Sequence, residues 1–148
     1  MARLKRAGTL RFAGVTGHAR AALLSAAIAR YDIDTVMLPL NALRRGGFER
    51  ETLPTARRKN VGVIAMQVMG QGALLGPGRA TPQELLGYTL SLPIAVALVG
   101  MASLAELESN ATAVNSTPMS AAGRDLLHRR LAAALGGGLP NRDEMVPR

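Results

Sequence analysis

The chain has 148 residues, a formal net charge of +8 and no cysteine. This length suits a single domain, and the absence of cysteine excludes a disulfide framework, a thiolate metal site and a cysteine nucleophile. The two histidines, His18 and His128, are too few and too far apart to indicate a metal site, so we expect no metal. The longest apolar run, Leu92–Val99, is too short to span a membrane. Gly, Thr and Arg interrupt the basic start, so we expect a cytoplasmic protein rather than a secreted one.

The positive charge is concentrated in the first part of the chain. Residues 1–60 hold 12 basic and 4 acidic side chains, and residues 61–148 hold 6 of each. Such a patch is one signature of a nucleic-acid surface. Only Phe12, Tyr31 and Phe48 accompany this charge, which gives no stacking platform for bases. We therefore expect neither a nucleic-acid partner nor a membrane partner.

Four strand-then-helix units follow one another along the chain. The predicted strands are short and almost wholly apolar, as buried parallel strands are: Leu10–Val15, Thr35–Leu38, Val61–Met66 and Ile94–Val99. The predicted helices that follow them are Ala19–Ala29, a helix near Arg50–Lys59, one opened by Thr81-Pro82-Gln83-Glu84, and one from Ser103 to about Val114. Both Thr81 with Glu84 and Ser103 with Glu106 have the spacing of a capping box.

Two helices have apolar positions at helical spacing. In the first helix these positions are Leu23, Leu24, Ala27 and Ile28. A terminal helix, Ser120–Leu135, has Leu126, Leu127, Leu131 and Leu135 on its predicted apolar face. Gly136-Gly137-Gly138 ends this helix, and Leu139–Arg148 is predicted to be a loose tail.

Alternation of strands and helices at this spacing predicts an α/β fold of right-handed crossover units around a parallel sheet. Four parallel strands cannot close a barrel on their own. They form either an open sheet or half of an eight-stranded barrel with two exposed edges. In the second case, apolar side chains that point toward the missing half are expected to be exposed.

A glycine loop follows the third strand. The stretch VGVIAMQVMGQGALLG, residues 61–76, leads from an apolar strand into glycines at 70, 72 and 76. Glycine lets a backbone approach a bulky anion and adopt turns that other residues resist. In a strand-then-helix chain, this position is where a phosphate-bearing cofactor binds. The alternative is that the loop only turns the chain toward the helix at Thr81.

Five blocks in order resemble the aldo/keto reductases: RFAGVTGH (11–18), DTVMLPLN (34–41), GVIAMQVMGQGALL (62–75), ELLGYTLSLP (84–93) and VALVGMASLAELESN (96–110). The resemblance implies half of a (β/α)8 TIM barrel, with four parallel strand-helix units and a C-terminal helix. It assigns residues 1–115 to strands five to eight of the barrel and residues 116–148 to the terminal helix and tail. It also implies NADPH or NADH as cofactor and an oxidoreductase that reduces carbonyls.

The family's catalytic tetrad of Asp, Tyr, Lys and His lies in the other half of such a barrel. No Tyr or Lys here matches it, so no catalytic residue is assigned and we expect the chain alone to be inactive. A second copy or a separate N-terminal half would supply the proton donor. Alternatives are a non-catalytic nucleotide-binding half-barrel that homodimerises, or a truncated gene product without function.

The resemblance assigns cofactor contacts at two places. On the nicotinamide side, Thr16, Gly17 and His18 stand where the family has a Ser-Asn pair, Met37 where many members have Gln, and Met66 where many have a stacking Tyr. On the side of the diphosphate and adenosine, the assigned residues are Gly70, Gln71, Gly72, Ala73, Leu74, Gly100, Met101, Ser103, Glu106 and Asn110. Glu106 stands where NADPH-preferring members carry Arg, which favours NADH; its other interpretation is helix capping.

Overall fold

The computed structural model describes residues 2–115 and 118–136, and within them the chain forms four strands, six α-helices and two short 3-10 helices, Arg45–Gly47 and Gly70–Gly72. The strands are β1 (Gly14–Thr16), β2 (Thr35–Pro39), β3 (Gly62–Met66) and β4 (Val96–Ala97). The helices are α1 (Ala2–Arg6), α2 (Ala21–Arg30), α3 (Phe48–Arg58), α4 (Pro82–Leu90), α5 (Leu104–Val114) and α6 (Ala121–Ala134). The predicted tail, Leu139–Arg148, lies outside the described residues.

All four strands are parallel and form one sheet in the order β1-β2-β3-β4. Their register places Thr16, Met37, Ile64 and Val96 side by side in one row across the sheet. The predicted α/β fold with four parallel strand-helix units and a C-terminal helix is therefore confirmed. The two outer strands are shorter than predicted, because each has a hydrogen-bonding neighbour on one side only.

The helices differ from the sequence-based expectation in three places. Helix α1 was not predicted, since five residues carry too little periodicity to reveal a helix. Leu23 and Leu126 occupy predicted apolar faces, but they are 64% and 63% exposed. Helical spacing identified the correct stripe through Leu24, Ile28, Leu127 and Leu131, which are all buried, and it extended each stripe one residue too far.

One face of the sheet is covered by helices. Val36, Leu38 and Ala65 from β2 and β3 are fully buried beneath Leu24 and Ile28 of α2 and Leu53 and Ala56 of α3. Alternate residues of the same strands point to the other face, where Met37 and Ile64 are partly exposed and Val96 is 48% exposed. The exposed apolar side chains expected for half of a barrel are present on this open face.

Helix α6 packs on the outside of α4 and seals a second apolar cluster. Leu127 and Leu131 of α6 are buried together with Leu85, Leu86 and Tyr88 of α4. Arg130 of α6 forms an ion pair with Glu84 near the start of α4. In the described ranges, 2–115 and 118–136, no helix is both long and apolar enough to cross a membrane.

Candidate functional site

A cleft of about 450 Å³ opens at the carboxyl ends of β3 and β4. The loop after β3 forms one wall through Gln67, Val68, Met69, Gln71, Gly72 and Leu75. The opposite wall comes from Leu98, Val99 and Gly100 after β4, from Glu106 and Asn110 of α5, and from Pro82 of α4. The cleft therefore joins the glycine loop to the start of the helix that follows the last strand.

The glycine loop turns sharply because several residues adopt left-handed backbone conformations. Gly70 and Gly72 have φ of 55° and 90°, and Gln67 and Gln71 share this region at 55° and 56°. A Cβ atom on Gly70 would lie 2.7 Å from Cγ of Leu74, so the loop requires glycine there. The tight turn brings the backbone of the loop to the surface of the cleft.

Some backbone amides of the loop donate hydrogen bonds within the loop and others do not. The amides of Gly70, Gly72 and Ala73 donate to carbonyl groups within the loop, at 2.9 to 3.1 Å. In residues 2–115 and 118–136, no such backbone bond comes from the amides of Val68 and Met69, although both residues line the cleft. Free amides beside a glycine turn are suited to an anion such as a diphosphate.

Helix α5 begins at the other wall with its own side-chain caps. The hydroxyl of Ser103 accepts a hydrogen bond from the Glu106 amide at 3.2 Å. The Glu106 carboxylate accepts from the Ala102 amide at 2.7 Å, one residue before the position that a capping box would use. Glu106 thus caps the helix and lines the cleft at the same time, so the two interpretations that the sequence left open do not exclude each other.

The predicted nicotinamide-side residues lie on neighbouring strands: Thr16 and Met66 end β1 and β3, and Met37 lies in the middle of β2. Thr16 pairs in register with Met37, and the Gly17 amide donates to the Met37 carbonyl at 3.1 Å. Met37 and Met66 both lie on the open face of the sheet, with Met66 buried at 7% exposure. His18 is exposed beyond the end of β1, and its Nδ1 atom lies 3.5 Å from Nε2 of Gln67.

The structure brings five of the predicted cofactor residues into the cleft: Gln71, Gly72, Gly100, Glu106 and Asn110. Gly70 and Leu74 are buried beneath the loop, where Leu74 belongs to the second apolar cluster. Ala73 is partly buried, and Met101 and Ser103 are exposed near the cleft without forming its lining. The predicted role of each of these residues stays a prediction.

Sequence reasoning missed several residues that line the cleft. Gln67, Val68 and Met69 lie between the assigned Met66 and Gly70, and Leu98 and Val99 precede the assigned Gly100. Continuity along the chain was the available signal for all five. For Gln67, the stronger signal is its left-handed backbone, which a sequence does not reveal for a residue other than glycine.

The tyrosines and lysines lie away from the cleft. Lys5 pairs with Asp32 and Asp34 at the amino ends of the strands, and Lys59 ends α3 just before β3. Tyr31 ends α2 and is 57% exposed. Tyr88 is fully buried, and its hydroxyl accepts a hydrogen bond from Arg44 and donates one to Glu49. In the described part of the chain, no three His, Cys, Asp or Glu side chains form a group that could hold a metal ion.

Solved structures with the same fold include an aldo-keto reductase and a glycerol dehydrogenase. The holo form of the aldo-keto reductase AKR11C1 from Bacillus halodurans superimposes with a TM-score of 0.70 at 22% identity, over 87% of this chain and 53% of that chain. The glycerol dehydrogenase AKR11B4 from Gluconobacter oxydans superimposes with a TM-score of 0.62 at 17% identity, over 93% of this chain and 54% of that chain. This chain thus spans about half the length of the structures that it matches.

Sequence comparison adds evidence that does not depend on the fold. No curated protein sequence matches the chain significantly. The model of the aldo/keto reductase family, however, matches residues 1–85. This segment contains β1, β2, β3 and the glycine loop that forms one wall of the cleft. Because the match covers more than half of the chain, this chain belongs to the aldo/keto reductase family.

Proposed function

We propose that this chain is the cofactor-binding half of an NAD(P)H-dependent oxidoreductase that reduces carbonyl groups. Residues 1–115 correspond in this proposal to strands five to eight of the barrel, and residues 116–148 to the terminal helix and tail. The observation that carries it is the cleft, in which the glycine loop after β3 faces the first turns of α5. The proposal includes a cytoplasmic location.

The cleft fits the adenosine diphosphate portion of a nicotinamide dinucleotide. The free amides of Val68 and Met69 and the small Gly72 suit the diphosphate, since a bulky anion needs donors and close approach of the backbone. Asn110 offers an amide side chain at the far end, on α5, where it would contact the adenine. The diphosphate then lies between the adenine at α5 and the nicotinamide near the carboxyl end of β3.

Glu106 favours NADH over NADPH. Its carboxylate accepts a hydrogen bond from the amide of Ala102 at the start of α5, where an anion of the cofactor would otherwise be attracted. A 2′-phosphate on the adenosine would approach this negative charge and be repelled, whereas the ribose hydroxyl of NADH would not. We therefore expect Glu106→Gln to raise the affinity for NADPH relative to NADH. Glu108→Gln, an exposed carboxylate on the same helix, is the matched control and should leave this ratio unchanged.

A titration with NADH, NADPH and ADP-ribose tests the proposal. The chain contains no Trp, so the fluorescence of bound NADH is followed with little protein background, and calorimetry measures ADP-ribose. We expect saturable binding of NADH and ADP-ribose and weaker binding of NADPH. If neither NADH nor ADP-ribose binds at millimolar concentration, the proposed function is wrong.

We expect a second half of the barrel to cover the open face on the nicotinamide side. Val96 of β4 and Leu98, just after this strand, are 48% and 55% exposed, which suits either a second copy of this chain or a separate N-terminal half. A second copy would add four strands and present the same unfilled face, as a two-fold interface requires. We propose the homodimer as a second function, a nucleotide-binding barrel without catalysis, because the tyrosines and lysines lie away from the cleft.

Light scattering with an aldehyde reduction assay distinguishes these cases. A dimer that Val96→Lys converts to a folded monomer would support closure by a second copy. A soluble wild-type monomer with a cooperative melt would refute it and leave the separate half. We expect no aldehyde turnover above background from this chain alone. Turnover at the rate of a complete reductase would show that a proton donor is present among these 148 residues.

A further inference from the structure

We infer that Gln67 is the residue that recognises the carboxamide of the nicotinamide ring; this rests on the proposed function. Gln67 lies at the carboxyl end of β3, directly after Met66; it lines the cleft together with Asn110 of α5, and its side-chain amide lies beside His18. With the adenine at Asn110 and the diphosphate at the amides of Val68 and Met69, the nicotinamide ring reaches the Gln67 end.

The polar side chains near Gln67 are few: Thr16 lies in register with Met37, and His18 contacts the Gln67 amide at 3.5 Å. The neighbouring side chains on the open face, Met37, Ile64 and Met66, are apolar, and Gly17 has no side chain. The amide of Asn41 is already used: its Nδ2 donates to the Gln67 carbonyl at 3.0 Å, and its Oδ1 accepts from the Leu43 amide at 3.1 Å. Asn41 therefore serves the loop itself rather than a ligand.

The side-chain amide of Gln67 is largely free. Its Nε2 atom has one long contact, 3.5 Å to Nδ1 of His18, and within the described residues its Oε1 atom accepts no hydrogen bond. A nicotinamide ring has one polar substituent, a primary carboxamide with a donor and an acceptor. The glutamine amide offers the complementary acceptor and donor, so the two amides match as a pair of hydrogen bonds.

The backbone of Gln67 is held in a left-handed conformation. Its φ of 55° is unusual for a residue other than glycine. Two donors stabilise the conformation through the Gln67 carbonyl: Nδ2 of Asn41 at 3.0 Å and the Gly70 amide at 2.9 Å. Asn41 is accordingly a positioning residue, which connects the end of β2 to the start of the glycine loop.

The test compares ligands with and without nicotinamide. NADH carries the carboxamide, and ADP-ribose has the same adenosine diphosphate without the ring. Gln67→Met keeps the length of the side chain and removes its amide, so we expect NADH affinity to fall about tenfold, which corresponds to the loss of one or two hydrogen bonds. ADP-ribose affinity should change less than about twofold, since it makes no use of this amide.

Gln71→Met is the matched control. Gln71 has the same left-handed backbone, with φ of 56°, and lines the same cleft on the diphosphate side. Its substitution should change NADH and ADP-ribose affinity by the same factor. Gln67→Asn is a second variant, because asparagine tolerates this backbone and is one methylene too short to reach; it should reproduce the loss for NADH.

Asn41→Asp tests the positioning role. Aspartate keeps the acceptor for the Leu43 amide and loses the donor to the Gln67 carbonyl. We expect NADH affinity to fall less than in Gln67→Met, and ADP-ribose affinity to stay unchanged. A general loss of stability would lower both affinities. If wild-type protein binds both ligands and Gln67→Met and Gln67→Asn leave their affinity ratio unchanged, the inference is wrong while the proposed function stands. If wild-type protein binds neither ligand, both are wrong.

Discussion

The two faces of the sheet are built from alternate residues of the same strands, yet they differ sharply. On the covered face, Val36, Leu38 and Ala65 are fully buried under α2 and α3. On the open face, Met37 and Ile64 are partly exposed and Val96 is 48% exposed. Burial of one face is sufficient to fix the register, because a slip of one residue would expose Leu38 and bury Met37. The open face contributes less to fixing this register, because its side chains are more exposed.

The largest effect expected is on the covered face. Leu38→Ala should lower the free energy of unfolding by about 2–5 kcal/mol, since it removes buried methyl groups and leaves a cavity. Ile64 lies on the open face, opposite Met37. Ile64→Ala should lower the free energy of unfolding clearly less than Leu38→Ala, because Ile64 is partly exposed. Chemical denaturation of both variants measures the difference. Equal costs would mean that a partner covers the open face in solution.

The next effect concerns the helix layer behind the covered face. Tyr88 is fully buried, and its hydroxyl accepts from Nε of Arg44 at 2.8 Å and donates to Glu49. Burial, together with the Glu49 carboxylate, raises the pKa of Tyr88, so the hydroxyl stays protonated and donates throughout the accessible pH range. Tyr88→Phe removes the hydrogen bonds of this hydroxyl with Arg44 and Glu49 and should lower the free energy of unfolding by about 1–3 kcal/mol.

Tyr31→Phe is the control for this prediction. Tyr31 is 57% exposed, so loss of its hydroxyl should change the free energy of unfolding by less than about 0.5 kcal/mol. Thermal and urea denaturation of the two variants provide the comparison. A cost for Tyr88→Phe no larger than for Tyr31→Phe would show that the Arg44–Tyr88–Glu49 network adds no stability to the helix layer.

A smaller effect is expected from removing the side-chain caps at the starts of α4, which follows the central strand β3, and α5, which follows the edge strand β4. At the start of α4, the Glu84 amide donates to the Thr81 hydroxyl at 3.2 Å and the Thr81 amide donates to the Glu84 carboxylate at 2.9 Å. Thr81→Ala should cost about 1 kcal/mol of global stability. Ser103→Ala should loosen α5 locally, since among the described residues Ala113 is the buried residue of that helix. Hydrogen exchange distinguishes local from global opening, and equal global costs would contradict this distinction.

Periodicity and capping chemistry predicted the covered side of the molecule well. The apolar strands β2 and β3 and the Thr81–Glu84 capping box are local patterns, and the structure confirms them. The exposure of Leu23 and Leu126 was not predictable, because periodicity identifies a stripe but not the point where the neighbouring layer ends. Gln67 was missed as a residue of the cleft because its left-handed backbone and its contact with Asn41, 26 residues away, cannot be read from a local pattern.

The smallest effect lies at the amino ends of the strands, where Asp34 connects the β1 edge to α1. Its carboxylate accepts from Nζ of Lys5 at 2.7 Å and from the Ala13 amide at 2.6 Å. Both interactions hold the pKa of Asp34 below its usual value of about 4. A lowered pKa in the folded state means that the stabilisation is complete above about pH 4 and is lost as the pH falls through the lowered value.

Melting temperatures measured against pH test this linkage. Asp34→Asn should melt at a lower temperature than wild type near neutral pH, and the difference should shrink as acid protonates Asp34 in the wild type. Asp32→Asn is the control: Asp32 shares Lys5 at 3.1 Å, but its side chain is 72% exposed, so the shift should be smaller. If the difference in melting temperature between wild type and Asp34→Asn stays constant down to pH values below the lowered pKa, the charge of Asp34 does not stabilise the fold. The β1 edge would then be held by the backbone bonds between Ala13 and Asp34, as the covered face is held by packing.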